Sequence, residues 1–163
     1  MVKKISLLIP IIISAFVIGI LGIVFIPSDI KNRNTDLDKG TIKLDENLLT
    51  VEIADTDADK QRWLTFRNEK LNLNTGLLLT YDKPDLYPIS LLNVKFPLDL
   101  MWFNHSGNIV YLKENAQPCN NIFDSSNCTF KNTIPAQFVL AGSSGFIQYN
   151  NISKNSTLEI IST

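Results

Sequence analysis

An acid set alone in an apolar run is the first place to look for chemistry. Here that acid is Asp99, within Phe96-Pro97-Leu98-Asp99-Leu100-Met101-Trp102-Phe103. A carboxylate on a core surface must find hydrogen-bond donors or destabilise the fold. Asp99 therefore reads first as an anchor that ties down neighbouring backbone or pairs with Lys95 or Arg67, and second as an acid facing a ligand. Strand alternation places it on one face with Met101 and Phe103, and Leu98, Leu100 and Trp102 on the other. Paired with Glu114, it would supply the two carboxylates of a hydrolase acting on envelope polymers, provided their oxygens lay about 5–9.5 Å apart in a cleft.

The remaining reactive residues have plainer readings. Asp55-x-Asp57-x-Asp59 has the opening of a calcium loop, but Lys60 stands where the loop needs Gly and Phe66 where it needs Glu, so these acids are expected to cap a helix. His105 and Ser106 are neighbours in Asn104-His105-Ser106-Gly107, the composition of a hairpin turn, and an exposed tip lacks the third residue and dry pocket of a nucleophilic site. One His and two Cys cannot build a three-His zinc site or a four-Cys cluster, so no metal and no cofactor are expected. Cys119 and Cys128 close a short loop in which a disulfide, contributing about 2.7 kcal/mol at most, is expected in an oxidising compartment. Two free thiols in a cytoplasmic loop are the alternative.

The elements that must position these residues are mainly strands. Short apolar runs separated by turn residues predict strands near Leu48–Ala54, Leu77–Tyr81, Leu86–Val94, Leu98–Phe103, Ile109–Glu114, Ala136–Ala141 and Thr157–Ile161. Asp55-Thr56-Asp57 predicts the start of a helix over Ala58–Arg67, with Trp63, Leu64 and Phe66 as core candidates, and a second short helix is expected at Gly145–Asn150. The fold class this implies is mainly β, a compact antiparallel sandwich or barrel-like domain with one or two short helices.

Ahead of that domain, Ile5–Ile26 is 22 residues without a charge, about 33 Å as a helix and long enough to cross a bilayer. Phe25-Ile26-Pro27-Ser28-Asp29 has no small-residue cleavage pattern. The expected organisation is a transmembrane anchor at 1–26, a polar linker at 27–40 and a β-rich domain at 41–163. Lys3 and Lys4 favour a cytoplasmic N-terminus and an extracytoplasmic C-terminal domain. Asn104, Asn127, Asn151 and Asn155 each open an N-x-[ST] match and are glycosylation candidates on that side. The whole chain carries net charge −1, and residues 27–163 hold 13 basic against 16 acidic side chains. Nucleic acid is therefore not an expected partner.

Several segments carry a resemblance. Val51-Glu52-Ile53-Ala54-Asp55-Thr56 before a helix ending in Trp63-Leu64-Thr65-Phe66-Arg67, then Gly76-Leu77-Leu78-Leu79, Phe96-Pro97-Leu98-Asp99 and Ala136-Gln137-Phe138-Val139-Leu140-Ala141 with Gly145, are the basis for it. In order and spacing, over roughly residues 48–161, they resemble the uncharacterised family called domain of unknown function 192. Pro118-Cys119 and Cys128 look like the Cys pair that some members carry in this loop. The family usually has Gly-Leu-Met at Trp63-Leu64-Thr65, Gly-Met-Leu-Phe at Gly76-Leu77-Leu78-Leu79, Trp-Met at Ser90-Leu91 and a Glu at Ala141. The resemblance implies a small, mainly β domain with short helices, often tethered or secreted, and no established activity. The combined expectation is a membrane-anchored binding or accessory module at the cell envelope, holding a ligand or a protein partner, with the Asp99–Glu114 hydrolase as the alternative.

Overall fold

A computed structural model describes residues 37–65 and 67–162. Strands β1 (Asp38–Leu44) and β2 (Asn47–Ala54) form a hairpin. Asp45 turns the chain with positive φ, and its carboxylate accepts the Thr157 amide at 2.8 Å. Gly40, Ile42 and Leu44 alternate inward along β1, as Leu49, Val51 and Ile53 do along β2. The chain then crosses through helix α1 (Asp57–Arg62) to β3 (Thr75–Asp85), which pairs with β2 in parallel. A parallel neighbour cannot be reached by a tight turn, and the intervening twenty residues supply the crossover.

The rest of the sheet is antiparallel. Strands β5 (Leu98–Phe103), β6 (Ile109–Ala116), β8 (Ala136–Ser143) and β9 (Leu158–Ser162) complete the order β6-β5-β8-β3-β2-β1-β9. Two-residue strands β4 (Ile89–Ser90) and β7 (Thr129–Phe130) pair separately, a 3-10 helix spans Ile122–Cys128, and helix α2 (Phe146–Tyr149) follows β8. The two ends of the sheet meet at one corner, where Asn108 bridges Thr157 and the Leu158 amide donates to the Gly107 carbonyl at 2.8 Å.

Both faces of this single sheet are buried. On one side Ile42, Val51, Leu78, Met101, Phe103 and Leu140 pack beneath Phe146 and Ile147 of α2. On the other, Leu77, Leu79, Leu98, Leu100 and Trp102 pack under the segments carrying Leu64, Leu91, Phe96 and Cys128. All six residues of β5 are buried, so its acid lies in a strand with no solvent face. Two-sided burial replaces the clean apolar/polar alternation of a one-sided sheet with runs such as Leu77-Leu78-Leu79.

The expected antiparallel sandwich or barrel-like domain is thus corrected to an open seven-stranded sheet of mixed direction beside a two-stranded one. The mainly β class with short helices stands. Three local expectations also change. The strand expected over Leu86–Val94 shrinks to Ile89–Ser90, because Pro88 interrupts it and Asn93 takes a left-handed φ of 62°. The linker expected through Gly40 gives way to β1 at Asp38, whose partner β2 supplies the ladder that local composition could not reveal. The first helix ends at Arg62, where the Trp63 backbone leaves helical geometry. Among the described residues no helix is long and apolar enough to cross a membrane, and the 5–26 stretch lies outside them, as does Phe66.

The corner contact is open to test through Gly107. Its φ is +78°, and a Cβ there would sit 2.0 Å from the Leu158 carbonyl oxygen. Gly107→Ala is expected to lose at least about 1–3 kcal/mol by combining a left-handed backbone with a steric clash. Chemical denaturation measures it, and an unchanged midpoint would show that the sheet ends do not depend on this contact.

Candidate functional site

Asp99 is 2% exposed, and it spends both oxygens on backbone. Oδ1 accepts the Asn115 amide at 2.8 Å, and Oδ2 accepts the amides of Gly145 and Ile147, each at 3.0 Å. The local sequence explains why three donors reach one side chain. Asn115, one residue before the end of β6, sits at an irregularity in the pairing with β5 and takes a left-handed φ of 48°. Gly142 lies opposite Asp99 in the ladder, and a Cβ on it would meet the Phe146 ring at 2.3 Å. A bare backbone at that point lets α2 settle onto the sheet and bring its first amides to the carboxylate. The Asn115 side-chain oxygen also accepts from Ser144 Oγ at 3.0 Å, closing the link between β6 and the turn before α2.

This is the backbone-anchoring geometry rather than the ligand-facing one. The charged partners named from the sequence are elsewhere, with Lys95 bonded to Asn68 Oδ1 and Arg67 paired with both oxygens of Glu52. Glu114 is exposed on β6, and neither it nor Asp99 lines either of the two hollows described below. The hydrolase pair is therefore not assembled: one of its acids is already saturated with donors.

The other sequence candidates are placed as follows. Thr56 caps α1 by accepting the Asp59 amide at 3.1 Å, and no cluster of three metal-ligating side chains occurs among the described residues. His105 Nε2 and Ser106 Oγ lie 3.1 Å apart on the exposed hairpin tip. Asn127, Asn151 and Asn155 are exposed, whereas Asn104 is half-buried and uses its oxygen to accept the Ser106 and Asn108 amides. Cys119 and Cys128 form a disulfide. Its flanking carbonyls grip the segment that contains Ser90, since Asn93 donates to Cys119 and Leu91 to Cys128, both at 2.9 Å.

That gripped segment forms one wall of a hollow of about 320 Å³. Lys60, Gln61, Trp63 and Thr65 contribute from α1 and the turn after it, Leu79 and Tyr81 from β3, and Pro88, Ile89, Ser90 and Leu92 from the gripped wall. Tyr81 is held in place by Tyr87, whose ring stacks on it at 3.5 Å and 8°. Tyr87 is in turn located by Trp102 Nε1, which donates to its carbonyl at 2.9 Å, and by buried Asn132, which accepts its amide at 2.9 Å. Lys60 Nζ lies 4.9 Å from the Tyr81 ring centroid. Burial pushes the Tyr81 phenol up to about 12, the nearby Tyr87 phenol adding to the effect. A larger hollow of about 430 Å³ beside Glu52 and Arg67 is polar, but its central charges satisfy each other.

Sequence reasoning missed this hollow because no single motif marks it. The usable signal was the set of departures from the family pattern. Leu77 and Leu91 are fully buried and simply repack the core, whereas Trp63, Thr65, Leu79 and Ser90 converge on the hollow. The substitutions that change its chemistry come from three separate segments.

Two outcomes follow from these sites. Asp99→Ala strands three backbone amides, that of Ile147 in a buried setting, and is expected to destabilise the domain by about 1–3 kcal/mol. A thermal melt equal to or above that of the parent would show that the carboxylate is not an anchor. For Tyr81 the folded state favours the protonated phenol, so its contribution to stability is complete below the ordinary phenol range near pH 10. It is lost as pH rises from there through about 12. Tyr81→Phe should flatten the fall in melting temperature across that window, and an identical fall in both proteins would remove Tyr81 as its source.

A protein from Sinorhizobium meliloti, described as a candidate transcription regulator, superposes with a TM-score of 0.67 at 22% identity, over 77% of this chain and 95% of its own. A protein of unknown function from Novosphingobium aromaticivorans gives 0.64 at 20% identity, over 76% of this chain and 86% of its own. These likenesses establish a shared fold. No curated protein matches this chain. The family described as "Uncharacterized ACR", DUF192, matches residues 40–160, β1 through most of β9, and this chain belongs to it.

Proposed function

We propose that this protein is a membrane-anchored, extracytoplasmic binding or accessory module, in which residues 5–26 span the bilayer and the β domain presents the Trp63 hollow to a small ligand at the cell envelope. The observation that carries the binding reading is the state of that hollow's polar groups. Among the described residues, the Trp63 indole, the Thr65 hydroxyl and the Tyr81 hydroxyl make no hydrogen bond within the domain, although all three residues are partly buried. Groups held at a concave surface with their donors unspent are what a ligand site requires. The other acids and amides of interest, at Asp99, Asn132 and Asn150, are consumed by the fold.

The anchoring and orientation are supported by three features of the chain. An uncharged stretch of 22 residues is long enough to span. The disulfide suits an oxidising compartment. Asn127, Asn151 and Asn155 stand exposed where glycosylation would require. The description of the Sinorhizobium neighbour does not transfer, because at 22% identity the likeness extends to the fold only, and the negative charge of residues 27–163 gives no field for a nucleic-acid backbone.

The protein is expected to stay with membranes through an alkaline carbonate wash, and protease added to intact cells should remove the domain. A soluble form beginning after Ile26 would overturn the anchor. Full protection in unbroken cells, with digestion only after lysis, would reverse the orientation.

A further inference from the structure

Charge and shape at the Trp63 hollow narrow the class of ligand it can take. Lys60 is the only formally charged residue among those lining it. Its ammonium carries three donors, one of which goes to the Asp55 carbonyl while another side of the group faces the Tyr81 ring. That ring cannot move freely, because Tyr87 is stacked on it and Tyr87 is itself fixed by Trp102 and Asn132. The cation is therefore seated on a rigid aromatic surface with a donor left for the hollow. Leu79, Ile89 and Leu92 form an apolar part of a lining that is otherwise polar. That apolar part favours a ring or a short hydrocarbon body and penalises a second charge. Asp82 and Asp85 act on Tyr87 as nearby negative charges, and Asp59 feels the charge of Lys60, so the acids around the hollow oppose an anion and any selection for one rests on direct contact with Lys60.

Building on the reading of this hollow as a ligand site, we infer that it selects a small monoanion, a carboxylate carried on a single-ring or similarly compact apolar body. In this arrangement Lys60 meets the carboxylate, Trp63 covers the body, and the Thr65 and Tyr81 hydroxyls supply neutral hydrogen bonds. A charge-assisted bond of this kind is stronger than a neutral one. The discrimination between acid and alcohol should therefore sit on Lys60, while affinity for the ring sits on Trp63.

The test uses the full chain, labelled with 5-fluorotryptophan, in nanodiscs of zwitterionic phosphatidylcholine, which carries no net charge. The sequence has two tryptophans, and they report separately: Trp63 on the hollow and buried Trp102 on the fold. The probes are 4-hydroxyphenylacetate, the matched alcohol tyrosol and the matched amine tyramine. The acid is expected to shift the Trp63 resonance and not that of Trp102, with a Kd about fivefold or more below that of tyrosol, and tyramine should bind weakest. Lys60→Gln should bring acid and alcohol within about twofold of each other, with the Trp102 resonance unchanged, and Lys60→Arg should keep the preference for the acid. Equal affinity for acid and alcohol in the parent, tighter binding of tyramine, or a preference that survives Lys60→Gln would overturn the monoanion assignment while leaving the hollow as a site. Failure of all three probes to move Trp63 would overturn the site itself.

Discussion

The carboxylate of Asp99 and the three amides that converge on it form the joint from which the architecture of this domain can be understood. The strand that carries it is buried on both faces. Its two oxygens reach the end of β6 on one side and the first turn of α2 on the other. Those amides have no ladder partner, since Asn115 sits at a left-handed irregularity within β6 and the opening amides of a helix lie outside its own bonding pattern. One side chain thus completes three backbone groups that secondary structure leaves unpaired. Gly142 makes the arrangement sterically possible by letting Phe146 lie against bare backbone.

From this joint the two cores follow. Seating α2 closes the side of the sheet that holds Met101, Phe103 and Leu140, while the opposite side is covered mostly by irregular segments, with Cys128 at the end of the 3-10 helix. Irregular cover must satisfy its own polar groups, and it does so through specific links. Asn132 donates to the Asp85 and Ile134 carbonyls and accepts from Tyr87, Ser143 Oγ donates to the Leu71 carbonyl, and the disulfide fixes the two carbonyls that hold residues 91 and 93. The hollow lies where this cover meets α1. Its walls are therefore set by loops, the part of a fold most free to change chemistry while the sheet is kept.

The division of labour among charged residues fits that picture. Glu52 and Arg67 satisfy each other at one hollow, Asp59 is engaged by Thr56 and Arg62 at the helix start, and Asp99 is spent inside. Lys60 is the charge left lining a surface where aromatic rings and uncommitted hydroxyls meet. Family membership supplies a shared fold over residues 40–160, and what distinguishes this chain lies in the side chains it places around that surface.

Much of the fold was legible in the residues alone. Strand β5 has the limits and face alternation its residues predict, and α2 lies within the short helix expected at Gly145–Asn150. Asp99 could be identified as an anchor from chemistry, since a lone acid among apolar neighbours must be bonded. The family, too, was recognisable from the order of its segments. What the sequence could not decide were relations between distant segments. The parallel pairing of β2 with β3, the inclusion of polar Asp38–Gly40 in β1 and the meeting of Gly107 with Leu158 depend on partners far along the chain. The hollow belongs to the same class: Trp63, Tyr81 and Ser90 are each unremarkable in local sequence, and only the crossover through α1 and the grip of the Cys119–Cys128 loop bring them to one concave surface. Local composition reports what each residue would bury or bond, whereas the identity of its neighbour is set by long-range packing of the sheet.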